Sequence, residues 1–143
     1  MLIREGRPAD WGRLLEIWEA SVRATHSFLS EEVIAALRPE VRDAALPALE
    51  LWVLGGDGGE LLGFMGLDGA KLEALFIAPS SSRRGGGRML VEHARRLKGP
   101  LTVDVNEQNP AALRFYEALG FRVCGRSPVD GAGRPFPLLH LED

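Results

Sequence analysis

The chain has 143 residues, 45% of them apolar and 26% charged, with 17 Lys plus Arg against 20 Asp plus Glu. That is the profile of one compact domain over residues 1–143, since a chain this long buries about 70% of its unfolded surface, enough for one core and too little for two independent ones. A net charge of -3 provides no global field for nucleic acid, so any anion must be held locally. The single cysteine, Cys124, cannot form an intramolecular disulfide, and His26, His93 and His140 are too far apart in sequence to suggest a metal cluster. The expectation is a metal-free, cytoplasmic protein. The N-terminal MLIREGRPADW has no apolar run of signal length, and no stretch approaches the roughly 20 apolar residues that span a bilayer.

Residues Leu2 to Arg4 read as a short strand, and Pro8 suits the first turn of a helix, where its missing N–H is not needed. Trp11, Leu14, Leu15, Trp18 and Val22 then recur at helical spacing and must face a core. Ser30 can cap a second helix through Leu37, which Pro39 is expected to interrupt before a third short segment around Val41 to Leu46. From Glu50 the runs LWVL, ELLGFMGL and AKLEALFIA, joined by GGDGG and DG, predict a three-stranded antiparallel meander. The loop PSSSRRGGGR follows, and then a helix from Met89 to Lys98 with Leu90, Val91, Ala94 and Leu97 on its inner face and His93 outside. LTVDV is a strand. Asn109 and Pro110 start a helix over AALRFYEAL that Gly120 ends, and FRVCGRS and RPFPLLHL form a closing hairpin. The order predicts a mixed α/β fold: a largely antiparallel sheet flanked by helices, with one parallel crossover around residues 71 to 105.

The glycine loop carries the first functional signal. Ser80 to Arg88 join a strand to a helix, which puts backbone N–H groups and the positive end of the helix where an anion can dock. Gly85, Gly86 and Gly87 allow left-handed backbone and close approach, and Arg83, Arg84 and Arg88 add charge, although a solvated flexible loop fits the same residues. No Gly-Lys-Ser/Thr closes the loop and the glycine spacing is not that of a dinucleotide fingerprint, so nucleoside triphosphates are not expected.

The run LEALFIAPSSSRRGGGRMLVEHA resembles motif A of the GCN5-related N-acetyltransferase (GNAT) family, with Gly85 and Gly87 at its two small positions. Arg84 and Arg88 stand where members often carry basic residues, while Ser82 replaces the family's Gln or Arg. NEQNPAALRFYEALGFRVCGRS resembles motif B through Asn109, Ala112, Phe115, Tyr116, Gly120 and Phe121. The resemblance covers the whole chain, and the ending DGAGRPFPLLHLED is similar to that of small bacterial members.

The resemblance implies transfer of an acetyl group from acetyl-coenzyme A to a primary amine of a small molecule or of a peptide or protein. The donor would lie on the backbone near Leu75, Phe76 and Ile77, on the loop Arg83 to Arg88, and against Asn109 and Tyr116. Tyr116, the only tyrosine, would protonate the departing thiolate, as suits a phenol with an ordinary pKa near 10. By helical spacing alone, Tyr116 would be a packing residue and Asn109 a helix cap. Glu73 stands where some members place the general base, though strand alternation equally permits a solvent-facing carboxylate paired with Lys71. His26 and Phe28, after the first helix, and His140, in the last strand, are candidates for the acceptor side. Cys124 lacks any neighbour that would activate it as a nucleophile. The family also implies a possible homodimer. The alternative expectations are a non-catalytic acyl-coenzyme A binding or sensing module of the same fold, and a phosphate-binding domain without coenzyme.

Overall fold

In the computed structural model, which describes residues 1–143, seven strands form one sheet in the order β1-β2-β3-β4-β5-β7-β6. The strands are β1 (Leu2–Glu5), β2 (Glu50–Gly55), β3 (Leu61–Asp68), β4 (Lys71–Ile77), β5 (Thr102–Asn106), β6 (Arg122–Ser127) and β7 (Leu138–Glu142). The helices are α1 (Trp11–Thr25), α2 (Glu31–Glu40), α3 (Leu46–Ala48), α4 (Gly86–Lys98) and α5 (Pro110–Ala118). Every strand pair is antiparallel except β4 with β5, as the expected crossover requires. No helix is long and apolar enough to cross a membrane.

Helices cover both faces of the sheet. On one, Leu14, Ile17, Trp18 and Val22 of α1 pack with Val53 and Phe64; on the other, Leu90, Val91 and Ala94 of α4 and Tyr116 of α5 pack with Met65, Val103 and Leu141. Burial of these side chains at roughly 25 cal/mol per Å² of apolar surface drives the assembly.

Three local expectations change. Ser30 caps α2, accepting a hydrogen bond from the Val33 N–H at 3.2 Å, but Pro39 does not end the helix. The chain runs past it to Glu40 and on through a π-helical turn, Val41–Ala45, into α3. Proline's own φ is helical, so Pro39 costs the helix one N–H bond without forcing the chain out of it, and the widened turn follows. The inner face of α4 is also rotated: His93 packs edge-on against Trp52, ring centroids 4.5 Å apart, while Leu97 is 45% exposed. The second strand of the closing hairpin starts only at Leu138 and inserts between β5 and β6.

Arg95 ties this end of the molecule together. Its guanidinium donates to Asp143 at 2.5 Å, to Glu92 at 2.9 Å and to the Leu119 carbonyl at 2.6 Å, and it lies 4.9 Å from the Phe121 ring centroid. Asp143 also accepts from the Leu101 N–H at 2.8 Å. Burial opposes ionisation of Asp143, but Arg95 and the Leu101 amide outweigh it and hold the carboxyl below its usual range. The stabilisation from Asp143 is therefore complete above the unfolded carboxyl pKa and is lost as pH falls through the lower folded value. Asp143→Asn should lower stability by about 2 kcal/mol at pH 7 in urea unfolding, the order for a lost charge-assisted hydrogen bond. The difference from wild type should close as the pH approaches 3; a constant difference between pH 7 and 3 would show that the carboxylate charge contributes nothing.

Candidate active site

The site begins with a register fault. Gly66 of β3 pairs with Ala74 and Leu67 pairs with Leu72, so Glu73 is an extra residue, a β-bulge in β4. Its effect is visible in the packing: Leu72 belongs to the core under α4, whereas Ala74, two residues on, packs toward α1. An unbroken strand would put both on one face. Directly before the bulge β4 also leaves β5, because pairing is confined to Lys71 with Thr102 and Leu72 with Val103. The edge of β4 from Glu73 to Ile77 that faces β5 consequently has no strand beside it.

Between the parting strands lies a cleft of about 600 Å³. It is lined by Leu75, Phe76 and Ile77 on one side and by Asp104, Val105 and Asn106 on the other. The glycine loop closes one end. Arg83 and Gly85 both take left-handed backbone, with φ of 62° and 84°, and Gly85 leads directly into α4. Alternation of left-handed and ordinary residues turns successive amides toward one side, at the positive end of the helix dipole. A Cβ on Gly86 would lie 2.5 Å from a methyl of Leu54 in β2, and one on Gly87 3.2 Å from the Phe115 ring of α5, so bare glycines let α4 start close against both elements. Ser82, at the position where the family has a longer side chain, donates its hydroxyl to the Pro79 carbonyl at 3.0 Å and so fastens the loop internally. Arg83 and Arg88 line the cleft with the three glycines; Arg84 does not.

Across from the loop stands α5. Asn109 caps it, accepting from the Ala112 N–H at 3.2 Å, and lines the cleft as well, so both of its expected roles coexist. Tyr116 lines the cleft although it is only 7% exposed, set between the edges of Phe115 and Phe121 at centroid distances of 5.0 and 5.5 Å. Burial pushes the phenol's pKa well above its ordinary value, so it is fully protonated at neutral pH. Asn106 presents a buried amide oxygen with no partner in the protein.

The opposite end has a different chemistry. The Lys71 ammonium is 3.1 Å from Glu73 Oε1 and 3.1 Å from Asp104 Oδ2, and both carboxylates line the cleft. Asp104 Oδ1 is 2.6 Å from His140 Nδ1, whose Nε2 is 2.7 Å from Ser127 Oγ. Burial disfavours the Asp104 carboxylate, yet hydrogen bonds from His140 and Lys71 outweigh it and hold the group below its usual range. His26 also lines the cleft, with burial lowering its pKa, and its Nδ1 is 2.8 Å from the Thr25 hydroxyl. Phe28 lies outside the lining, its ring stacked between His26 at 5.4 Å and Phe136 at 5.8 Å; His140 reaches the cleft only through Asp104. Sequence reasoning misses Asp104 and Asn106. The alternation of TVDVN, apolar on one face and polar on the other, is the signal that could have found them.

Residues 47–123 match the acetyltransferase (GNAT) domain family. The peptidyl-lysine N-acetyltransferase YjaB of Salmonella typhimurium is 49% identical over 139 residues, 97% of this chain and 95% of that protein. The solution structure of apo YjaB from Escherichia coli superposes with a TM-score of 0.91 at 46% identity, covering 99% and 95% of the two chains. The fold is also that of YncA of Salmonella typhimurium, solved with acetyl-coenzyme A, at a TM-score of 0.69, 22% identity, and 100% and 92% coverage. Likeness of this extent, over nearly the whole chain, makes it a member of the GNAT family, an enzyme that transfers an acetyl group from acetyl-coenzyme A to an amine.

Proposed function

We propose that the acceptor is the ε-amine of a lysine side chain in a polypeptide. The observation that carries this reading is the seat of the Lys71 ammonium, between two carboxylates at the end of the cleft away from the glycine loop. A site that accommodates one alkylammonium in this way suits another presented from outside. The peptidyl-lysine acetyltransferases among the relatives point the same way. His26, backed by Phe28 and Phe136, would form the apolar wall along which the aliphatic stem lies.

The chain's residues suit acetyl-coenzyme A as donor. The amides around Gly85 to Gly87, with Arg83 and Arg88, would hold the pyrophosphate, and the free edge of β4 at Leu75 to Ile77 would pair with the pantetheine amides. Asn109 and the unpartnered Asn106 oxygen face the same space. Glu73 is assigned the proton that the acceptor ammonium must lose before its nitrogen can attack, and Tyr116 the proton that the leaving sulfur gains. The nitrogen forms its bond to the acetyl carbon as the carbon–sulfur bond breaks.

A lysine peptide with a blocked N-terminus, incubated with enzyme and acetyl-coenzyme A, should release coenzyme A thiol and carry an ε-acetyl group by mass spectrometry. No ε-acetylation of that peptide, with acetylation of an unblocked control peptide at its α-amine alone, would overturn the lysine assignment. Tyr116→Phe should bind acetyl-coenzyme A within about twofold of wild type while kcat falls about 10²–10⁴-fold. Unchanged kcat would remove Tyr116 from the chemistry.

The loop has its own test by calorimetry. Gly85→Asp should weaken acetyl-coenzyme A binding about tenfold or more, and Gly85→Asn, which tolerates left-handed backbone without adding charge, by less. Equal affinities for all three proteins would mean that the pyrophosphate lies elsewhere.

A further inference from the structure

We propose that His140 is the residue that decides whether the acceptor end of the cleft accepts a cation, because its charge sets how much of the Asp104 carboxylate is left to hold the acceptor's ammonium. The inference rests on an ammonium-bearing acceptor, as proposed above, and adds a residue that touches neither substrate.

The geometry fixes the protonation pattern. A carboxylate can only accept, so the hydrogen bond at 2.6 Å requires His140 Nδ1 to donate to Asp104; Nε2 of the neutral ring then accepts from the Ser127 hydroxyl. When the ring takes up a proton at Nε2, the hydroxyl need only turn to accept, so Ser127 serves both states. The charged groups facing the ring are Asp104 from β5 and, through it, Lys71 and Glu73 from β4. From β6 the ring meets the neutral Ser127 hydroxyl and Gly125, where a Cβ would come within 3.4 Å of it, while the Cys124 thiol donates to the His140 backbone carbonyl at 3.3 Å.

The charges then decide the outcome. Lys71 balances one of the two carboxylates, so with neutral His140 the acceptor end carries one net negative charge, enough to attract one ammonium. With His140 protonated, Asp104 lies between two cations and the net charge is zero. Histidine is the side chain whose charge changes between about pH 5 and 8, whereas a lysine ammonium keeps its charge throughout that range. His140 is thus a positioning residue that acts through Asp104, and Lys71 is a tethered rival for the same carboxylates.

The test measures binding without turnover. Enzyme saturated with coenzyme A is titrated with an N-terminally blocked lysine peptide free of Asp, Glu and His, from pH 8 to 5.5. Wild type should lose about tenfold in peptide affinity on acidification, with its coenzyme A affinity unchanged. His140→Asn keeps a donor for Asp104 but cannot be charged, and it should bind the peptide as wild type does at pH 8 and hold that affinity to pH 5.5. Lys71→Gln, on the exposed rim, should bind several-fold more tightly and keep the pH dependence. Peptide binding at pH 8 that is flat with pH in wild type, or equally steep in His140→Asn, would overturn the role of His140 while leaving the lysine reading in place. Weaker binding by Lys71→Gln would overturn the rivalry. No peptide binding at pH 8 would overturn both this inference and the lysine reading.

Discussion

Everything functional in this molecule depends on two parallel strands that pair for two rungs and then separate. A parallel pair deep in a sheet normally continues, since each unmade rung leaves backbone donors and acceptors without partners. Here the bulge at Glu73 makes separation the local rule: it bends β4, reverses which of its side chains face each core, and leaves the stretch from Ala74 to Ile77 anchored to β3 alone. The freed edge is a row of peptide groups waiting for another extended, amide-bearing chain. A pantetheine arm is such a chain, and under the proposed reading the donor would take the place that a longer β5 pairing would have filled.

The two ends of the cleft follow from what each strand runs into. β4 runs into the glycine loop, whose left-handed residues Arg83 and Gly85 turn the chain and direct amides at an anion. β5 runs into Asn109 and α5, which brings Tyr116 under the opening between Phe115 and Phe121. Burial that would be costly for a phenolate costs a neutral phenol little and keeps Tyr116 protonated, the state required for the proton donation proposed above. Where the strands are still joined, no phosphate site exists. Side chains on the α1 side converge there instead, and the site becomes cationic in preference: Glu73, Asp104, and the lysine between them.

The half of the cleft built from the glycine loop and α5 was legible in the sequence because it is local. The loop, Asn109 and Tyr116 each lie within short motifs whose spacing is set by a single turn or a single helix, and α5 needed only Asn-Pro at its start and Gly120 at its end. The acceptor half was not, because its contacts cross the chain: Asp104 and His140 are 36 positions apart, and His140 meets Asp104 only because β7 inserts beside β5 rather than beyond β6. Alternation on β4 misled for a related reason. It left Glu73 open between a catalytic and a solvent-facing place, and nothing in KLEALFI announces that a bulge at that residue divides Leu72 from Ala74. Pro39 shows the same limit in a helix, where tertiary packing of the segment outweighed a residue that on its own terms should end it.

A division of labour follows from where charge is allowed. Under the proposed reading the donor end would neutralise its ligand with backbone dipoles and arginines, which keep their charge at any physiological pH, so affinity for coenzyme should vary little with acidity. The proposed acceptor end gathers carboxylates, a lysine and a histidine across three strands, and with His140 neutral their charges sum to one negative unit. A balance so close is easily shifted by a single proton, whereas the Arg83 to Arg88 loop would need several. Sensitivity to conditions is therefore concentrated at the acceptor end, and the bulge at Glu73 holds the two chemistries apart on one continuous cleft.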